Sequence, residues 1–351
     1  MRGSEMASGL VEPVGEDGVP EWLVESVQRM GLAAAPGERV WAKPLTGGVS
    51  SDVYEVAVGA RRMCVKRPLE TLRVSASWHA PIERGRREEE WLRFAAGVHQ
   101  DVVPRVLGHD PEHNAFAMEL LDQHEFPTWK SQLLEGQADP AVAAALGRQL
   151  AGLHRASAAS AEVMRQFADQ RAFDALRVDP FYRAVLRMHP EVEAELQQVI
   201  VDVLEPRAVI HGDVSPKNIL VGAHRVVLLD AECAAVGDPA FDLAFCLTHL
   251  VLKSVRRPGW SQRYLALARD FLASYRDGLP ADDEERVLAS TVRQMGALLI
   301  ARIDGKSPIE YLTSPQRATA RQLGIDLLRQ PPGSPLVVFG HASGSAEQEA
   351  R

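Results

Sequence analysis

One stretch constrains this chain more than any other: Val209–Ile210–His211–Gly212–Asp213–Val214–Ser215–Pro216–Lys217–Asn218–Ile219–Leu220, with Leu228–Leu229–Asp230–Ala231–Glu232 just after it. It has the form of an apolar strand, a polar loop, a short strand, a four-residue turn, a second short strand and an acid. Pairing Ile219–Val221 with Val226–Leu229 around Gly222–Arg225 predicts residue 219 opposite 229, and therefore 218 opposite 230. Directly opposed residues of an antiparallel pair have Cα atoms about 4.5–5.5 Å apart. Asn218 and Asp230 would then offer two oxygen ligands side by side, which suits a Mg²⁺ ion held by few protein oxygens and by substrate phosphates. Asp213 opens the same loop, free to take a proton from an attacking hydroxyl. Singly, Asp, Asn, Pro and Gly are ordinary turn residues. Their joint spacing between apolar strands points to phosphoryl transfer.

The pattern H-G-D-x-x-x-x-N, followed by an apolar strand and an Asp, resembles the catalytic and metal-binding loops of the aminoglycoside phosphotransferase-like kinases. That family shares the protein-kinase fold and also includes choline, methylthioribose and fructosamine kinases. Gly237–Asp238–Pro239–Ala240–Phe241–Asp242–Leu243–Ala244 is similar to its next landmark. The resemblance covers residues 40–325 and is most specific over 209–244. It implies Asp213 as catalytic base, Asn218 and Asp230 as Mg²⁺ ligands, and ATP as phosphoryl donor. The implied fold is α+β, with a small antiparallel-sheet N-lobe and a larger helical C-lobe.

At 351 residues the chain exceeds the usual size of one core, so two lobes are expected. Apolar residues at 46% and charged residues at 25% are those of an ordinary globular protein. A net charge of −8 argues against a nucleic-acid binder, which would carry a basic face. The three cysteines, Cys64, Cys233 and Cys246, form no C-x-x-C pair and suggest buried reduced thiols. No apolar stretch reaches the length of a membrane span and no apolar signal core opens the chain, so a cytoplasmic protein without a membrane partner is expected. Of the basic residues only six are Lys, a bias read as nucleotide composition of the source genome rather than mechanism.

Residues 1–18 have the composition of a flexible leader. A nucleotide-binding lobe is expected over 19–120, a catalytic and acceptor-binding lobe over 121–330, and a loose tail over 331–351. In the first lobe Ala42–Thr46, Val53–Val58, Arg62–Lys66, Val102–Leu107 and Ala115–Leu120 are the candidate strands, and Pro81–Ala96 a helix. In the second, helices are expected over Ala141–Ala156, Phe181–Arg187, Glu191–Leu204, Phe241–Ser254, Trp260–Asp277 and Asp282–Arg302.

Gly47 and Gly48 allow backbone N–H groups to approach a phosphate closely, and Ser50 and Ser51 add hydroxyl donors. Taken alone, a Gly pair between strands is equally a tight turn. Folding the hairpin about residue 60 predicts Lys66 opposite Tyr54, near the Gly turn. A lysine on an edge strand is commonly a solvated charge, but with the downstream motif Lys66 is favoured as the phosphate-contacting lysine. Its carboxylate partner should sit on the following helix. Glu88 shares a stripe with Trp91, Leu92 and Ala95, whereas Glu89 and Glu90 begin stripes that look exposed. The family's R-R-E-x-x-x-L pattern, here Arg86 to Leu92, also selects Glu88; a wholly solvated charge run is the alternative. Met118–Glu119–Leu120–Leu121 is similar to the family's crossing strand, which implies that the backbone of Glu119 and Leu121 meets the adenine edge.

His211 is expected to hold the loop through the backbone, and Asp242 to support it from a helix N-terminus. Lys217 has two readings, contact with phosphate or acceptor, or simple solvation. Glu232 has three: a second metal, an acceptor group, or a turn cap. Gly212 stands where protein kinases carry the Arg of H-R-D, and seven residues between Asp230 and Asp238 leave no activation segment for a peptide. The expected activity is therefore γ-phosphate transfer to a small-molecule hydroxyl: an aminoglycoside or other antibiotic, in which case the protein confers resistance, or a sugar or amino-alcohol metabolite. A catalytically silent nucleotide-binding regulator and a protein kinase are the competing readings. Leu176–Arg183 and Ala301–Pro308 either line the acceptor pocket or merely connect helices. Nothing in the sequence speaks to oligomeric state.

Overall fold

Trp22, Leu23, Ser26 and Val27 recur at helical spacing and give α1 (Glu21–Arg29) one buried face. A computed structural model describes residues 18–33, 38–45, 50–73 and 78–341 of the chain. The expected leader lies outside the described residues but for Gly18, and Gly47 and Gly48 lie outside them too. Within the described part the chain divides into two units, one ending at Leu69 and rejoined by Val106–Leu120, the other formed by Glu70–Arg105 and the chain from Leu121 onward.

In the first unit α1 packs on a five-stranded antiparallel sheet. Its strands are β1 (Val40–Pro44), β2 (Ser51–Val58), β3 (Arg61–Pro68), β4 (Val106–Asp110) and β5 (Ala115–Glu119), in the order β1-β2-β3-β5-β4. Trp22, Leu23 and Val27 bury against Val56, Val58, Met63, Val65 and Ala117. Burying such side chains contributes about 1.5–3 kcal/mol each. Asp110 is fully buried at the end of β4, where it accepts from Ser26 Oγ at 2.6 Å. The β2–β3 hairpin closes through the two residues Gly59 and Ala60, so Val58 faces Arg61 and Lys66 faces Val53 rather than Tyr54. The expected pivot at one residue gave a register one place off. The expected strand Val102–Leu107 begins instead at Val106. Pro104 has no N–H to give a ladder, and Val102 belongs to the other unit, where its carbonyl accepts from Leu228 N at 2.8 Å.

The second unit is mostly helical. Its first long helix, α2 (Arg84–Val98), follows β3 in sequence but packs here, burying Trp91, Leu92 and Ala95. A single boundary at residue 120 therefore does not describe how the contacts divide. Asp139 caps α3 (Pro140–Ala158), accepting from Ala141 N at 2.9 Å, with Pro140 opening the helix. A ten-residue π-helical stretch spans Asp174–Arg183, where a plain helix over Phe181–Arg187 was expected. Its Pro180 cannot donate to an α-helical ladder, and wide turns of this kind recur at functional sites. Then come α4 (Glu193–Val203), α5 (Ala240–Arg256), α6 (Ser261–Arg276), α7 (Ala281–Asp304) and α8 (Ser314–Arg329). A Cβ at Gly147 of α3 would collide with the backbone carbonyl of Phe271, so glycine permits the close crossing of α3 and α6. The expected tail differs as well: 337–341 is helical, with Val338 and Phe339 buried. Among the described residues no helix is long and apolar enough to cross a membrane.

Candidate active site

Two miniature antiparallel ladders carry the polar loops of the second unit. β6 (Ala208–Ile210) pairs with β9 (Ala235–Gly237), and β7 (Ile219–Val221) with β8 (Val226–Leu228). The first ladder launches the loop 211–218 and the second receives it. In the second, Ile219 faces Leu228, and Gly222 N donates to Arg225 O at 2.9 Å, leaving a two-residue loop. Asn218 therefore faces Leu229, whose N–H bonds the Asn218 carbonyl at 2.9 Å, and not Asp230 as expected. The cause is the same as in β2–β3: the turn is one residue tighter than the pattern suggested. Asp230 instead turns out of the ladder with φ +63°, a left-handed conformation that Asp tolerates better than most side chains.

Asp213 is buried at the mouth of the loop. The Arg177 guanidinium from the π-helical stretch lies 2.8 Å from Asp213 Oδ2, and Lys217 Nζ lies 3.4 Å from the same oxygen. Arg177 also donates through Nε to the Gly212 carbonyl at 2.7 Å, so one guanidinium fixes both side chain and backbone. Burial pushes the Asp213 carboxyl up, but Lys217, Arg177, His211 and His249 together outweigh it and hold the group well below the usual carboxylate range. Asn218 is 2% exposed and donates through Nδ2 to the Asp213 carbonyl at 3.1 Å. With the amide nitrogen so used, the Asn218 side-chain oxygen is the group left for a cation. That oxygen and the Asp230 carboxylate are hard donors of the kind Mg²⁺ takes. Among the described residues no three His, Cys, Asp or Glu side chains converge as a metal cage, so a cation here would complete its shell with phosphates and water.

Asp242, fully buried in the first turn of α5, pins the loop. It accepts from His211 N at 2.7 Å, Gly212 N at 2.9 Å and the His154 ring at 3.0 Å, and Tyr275 Oη holds the other His154 nitrogen at 2.9 Å. His211 holds the turn from within, accepting from Asp213 N at 3.1 Å, with its ring edge-on to Trp91. Both side chains thus act on the backbone as the sequence suggested. Gly212 adopts φ +80°, and a Cβ there would stand 2.8 Å from Cys233 Cβ, so a side chain at this place would be both strained and crowded. Cys64, Cys233 and Cys246 are buried free thiols. Residues 231–238 are wholly buried.

Glu232 is held by an arginine rather than by a turn among the described residues. It accepts from Arg84 Nε at 3.1 Å, and Arg84, almost fully buried, also bonds the Ala80 and Pro81 carbonyls at 3.1 and 3.0 Å. On α2, Glu88 is 2% exposed as expected, but Glu89 is buried too, at 6%. Glu89 meets Arg93 at 2.7 Å and Glu90 meets Arg86 at 2.8 Å, both one helical turn away. Leu121 opens the second unit after the crossing from Glu119.

The first unit carries the other expected residues. Lys66 is 3% exposed on β3, flanked by Val53 and Phe116 on the neighbouring strands. Ser51 starts β2 with its Oγ buried and without a hydrogen-bond partner among the described residues, while the Ser50 carbonyl accepts from Leu69 N at 2.9 Å. Glu119 ends β5 opposite Met63.

Arg177 and Arg84 are the side chains that sequence reasoning missed. The segment around Arg177 stood out as a motif, but nothing in its spacing ties it to a loop 35 residues on.

A five-stranded antiparallel sheet unit and a helical unit with a pinned H-G-D loop and a D-x-E hairpin define a phosphotransferase of the kinase-like class. The chain belongs to the phosphotransferase enzyme family APH, whose profile matches residues 41–281. It is 27% identical to a methylthioribose kinase of Pectobacterium carotovorum over 357 residues, covering 85% of this chain and 88% of that protein. A methylthioribose kinase of Yersinia enterocolitica is 28% identical over 67% of this chain, which spans just under two thirds, 66%, of that relative. Among solved structures, an amicoumacin kinase in complex with AMP-PNP, Ca²⁺ and Ami superposes with a TM-score of 0.58 at 12% identity, covering 90% of this chain and 95% of that one. A spectinomycin phosphotransferase in complex with ADP and spectinomycin gives 0.52 at 13%, covering 92% and 98%. At such identities the two structures speak for the fold alone.

Proposed function

We propose that the protein transfers the γ-phosphate of ATP to a hydroxyl of a small molecule. The observation that carries this reading is the buried loop in which Arg177 fixes Asp213, Asp242 fixes the backbone of His211–Gly212, and Asn218 bonds the Asp213 carbonyl. Asp213 would orient the acceptor hydroxyl and receive its proton. Phosphoryl transfer through a loose transition state asks mainly for position and charge, so a carboxylate of low basicity serves. Asn218 and Asp230 would hold Mg²⁺, which when bound neutralises charge on the phosphates. Lys66, Ser50, Ser51 and the Gly47–Gly48 pair would serve the phosphates, and the backbone of Glu119 and Leu121 the adenine. The buried Ser51 hydroxyl, without a partner among the described residues, supports a ligand there.

The test is ADP release by the purified full chain with Mg²⁺-ATP across a panel of hydroxylated metabolites and antibiotics. One acceptor should stimulate release, and Asp213→Ala should lower that turnover by about 10²–10⁴. Stimulation by protein substrates alone, or an Asp213→Ala enzyme with near-parental turnover, would overturn the reading.

A further inference from the structure

One stripe of α5 runs away from the Asp213 loop. Phe245, His249 and Lys253 follow each other at four-residue spacing, the repeat that aligns side chains on a helix face. The stripe begins at Arg177, whose guanidinium lies 5.6 Å from the Phe245 ring centre, and the Phe245 and His249 rings are 5.5 Å apart. It ends at Tyr311, whose ring centre is 5.9 Å from Lys253 Nζ. Arg302 of α7 stacks on Phe181 at 5.7 Å, the ring that Arg177 also approaches at 5.7 Å.

Around Lys253 the neighbouring groups are mostly basic, and the acid that bears on His249 and Arg302, Asp213, is already held by Arg177 and Lys217. Lys253 is 2% exposed, yet among the described residues its hydrogen bond is to the His249 carbonyl of its own helix, at 3.5 Å. Arg302 bonds the carbonyl and hydroxyl of Ser307, and among the described residues its Nε has no partner and the buried Tyr311 Oη has none either. Neither Lys253 nor Arg302 meets a carboxylate among the described residues. The nearby acids are already engaged: Asp213 by Arg177 and Lys217, Glu232 by Arg84, Asp179 by Lys306, Asp304 by Arg321. Buried charge is ordinarily paired, because desolvation without a counter-charge is costly. Burial draws the Lys253 ammonium down to about 7, with Lys130, Arg256 and Arg302 adding to it against the Cys246 thiol. Burial, then Arg302 and Lys253, likewise hold His249 well below the ordinary histidine range, against Asp213.

We propose that the acceptor carries an oxyanion, a carboxylate or a phosphate or sulfate ester, bound by Lys253, Arg302 and Tyr311 while its hydroxyl meets Asp213. Four residues of helix span about 6 Å, so the anion would sit roughly one turn beyond His249 along α5. A polycation would meet Lys253 and Arg302 with no carboxylate beside them among the described residues, and a neutral sugar would leave the Arg302 charge without a counter-charge. The inference rests on the phosphotransferase reading above, and two measurements on the full chain separate them.

The first is thermal denaturation with saturating Mg²⁺-ADP, titrating sodium sulfate against sodium chloride at matched ionic strength. Sulfate should stabilise the parent protein more than Lys253→Met, Arg302→Gln or Tyr311→Phe, the last removing a single oxygen. Equal response in parent and in folded variants overturns the anion site whatever the enzyme does. The second is ADP release with matched acceptors: hydroxy-carboxylates and phosphorylated polyols, their neutral counterparts, and aminoglycosides. The anionic member should be preferred, and Lys253→Met should raise its KM by about 10–100-fold, the range for losing a charged hydrogen bond, while raising that of the neutral counterpart less. A neutral or polycationic acceptor used as well as the anionic one overturns the proposal and leaves the kinase reading standing. Silence from every acceptor, with sulfate binding intact, counts against the kinase reading alone.

Discussion

Arg177 and Asp213 stand 2.8 Å apart, and the same guanidinium bonds the Gly212 carbonyl one residue away. The pair links the π-helical stretch to the loop of the proposed base. Arg177 is in this view a positioning residue, and two substitutions divide its work. Arg177→Lys keeps a charge but cannot fork to both acceptors. Arg177→Met removes the charge as well.

Both should lower kcat, by roughly 10² for a misplaced group, but only Arg177→Met should change the pH profile. With a cation gone, the Asp213 carboxyl rises from its depressed range, so the acid limb of kcat against pH moves to higher pH in Arg177→Met and stays in Arg177→Lys. Identical profiles for the parent and Arg177→Met would show that the pair does not set the ionisation of Asp213.

Asp230 has a left-handed backbone, φ +63°, which Asn tolerates as well as Asp does. Asp230→Asn therefore changes charge without imposing backbone strain. ATP-dependent turnover of this variant should need higher Mg²⁺ than the parent, since a neutral amide is a poorer ligand for a hard cation. Asn218→Ala should act in the same direction. Mg²⁺ titrations that superpose for parent and both variants would move the metal elsewhere.

Asp110 is fully buried in the first unit. Burial pushes its carboxyl up, but bonds from Ser26 and His113 and from the Glu112 backbone bring it down to about 2. A carboxylate depressed in the folded state stabilises it above the unfolded pKa, which is about 3.9 for Asp. That contribution should be complete above about pH 4–5 and fade as pH falls toward 2. Asp110→Asn should flatten this part of the stability curve, read by chemical denaturation at stepped pH. A variant with the parent's slope between pH 5 and 2 would remove Asp110 from the acid sensitivity.

The parts legible in the sequence were those whose signal is local. The loop 211–218, the acid at 242 and the buried stripe bearing Glu88 follow from spacing within one element or one turn. Register was less legible, because a hairpin pivoting on two residues instead of one leaves the same apolar pattern while shifting every partner by one place. That single difference moved Lys66 from Tyr54 to Val53 and Asn218 from Asp230 to Leu229. Long-range polar pairs were not legible at all. Arg84 and Glu232 lie 148 positions apart and resemble surface charges until the fold buries them. Glu89 misled for a related reason, since its Arg93 partner lets a charged side chain sit at 6% exposure on a face expected to be solvated.

Asp242 offers the sharpest test of how the loop is held. Its two oxygens receive three donors, from His211 N, Gly212 N and the His154 ring. Asp242→Asn keeps the shape but replaces one acceptor oxygen by an NH₂ group, which then faces a donor it cannot bond. A buried donor left unsatisfied costs about 1–3 kcal/mol, so the unfolding free energy of the variant, read by chemical denaturation, should fall below the parent's by an amount in that range. Turnover should fall further than stability alone explains, because the backbone that aims Asp213 loses its anchor, while ATP affinity should change little. The decisive comparison is between Asp242→Asn and His154→Phe, which removes one donor but leaves both backbone bonds to the carboxylate. If His154→Phe lowers turnover of the folded enzyme as much as Asp242→Asn does, the anchor is the histidine contact and not the pair of backbone N–H groups.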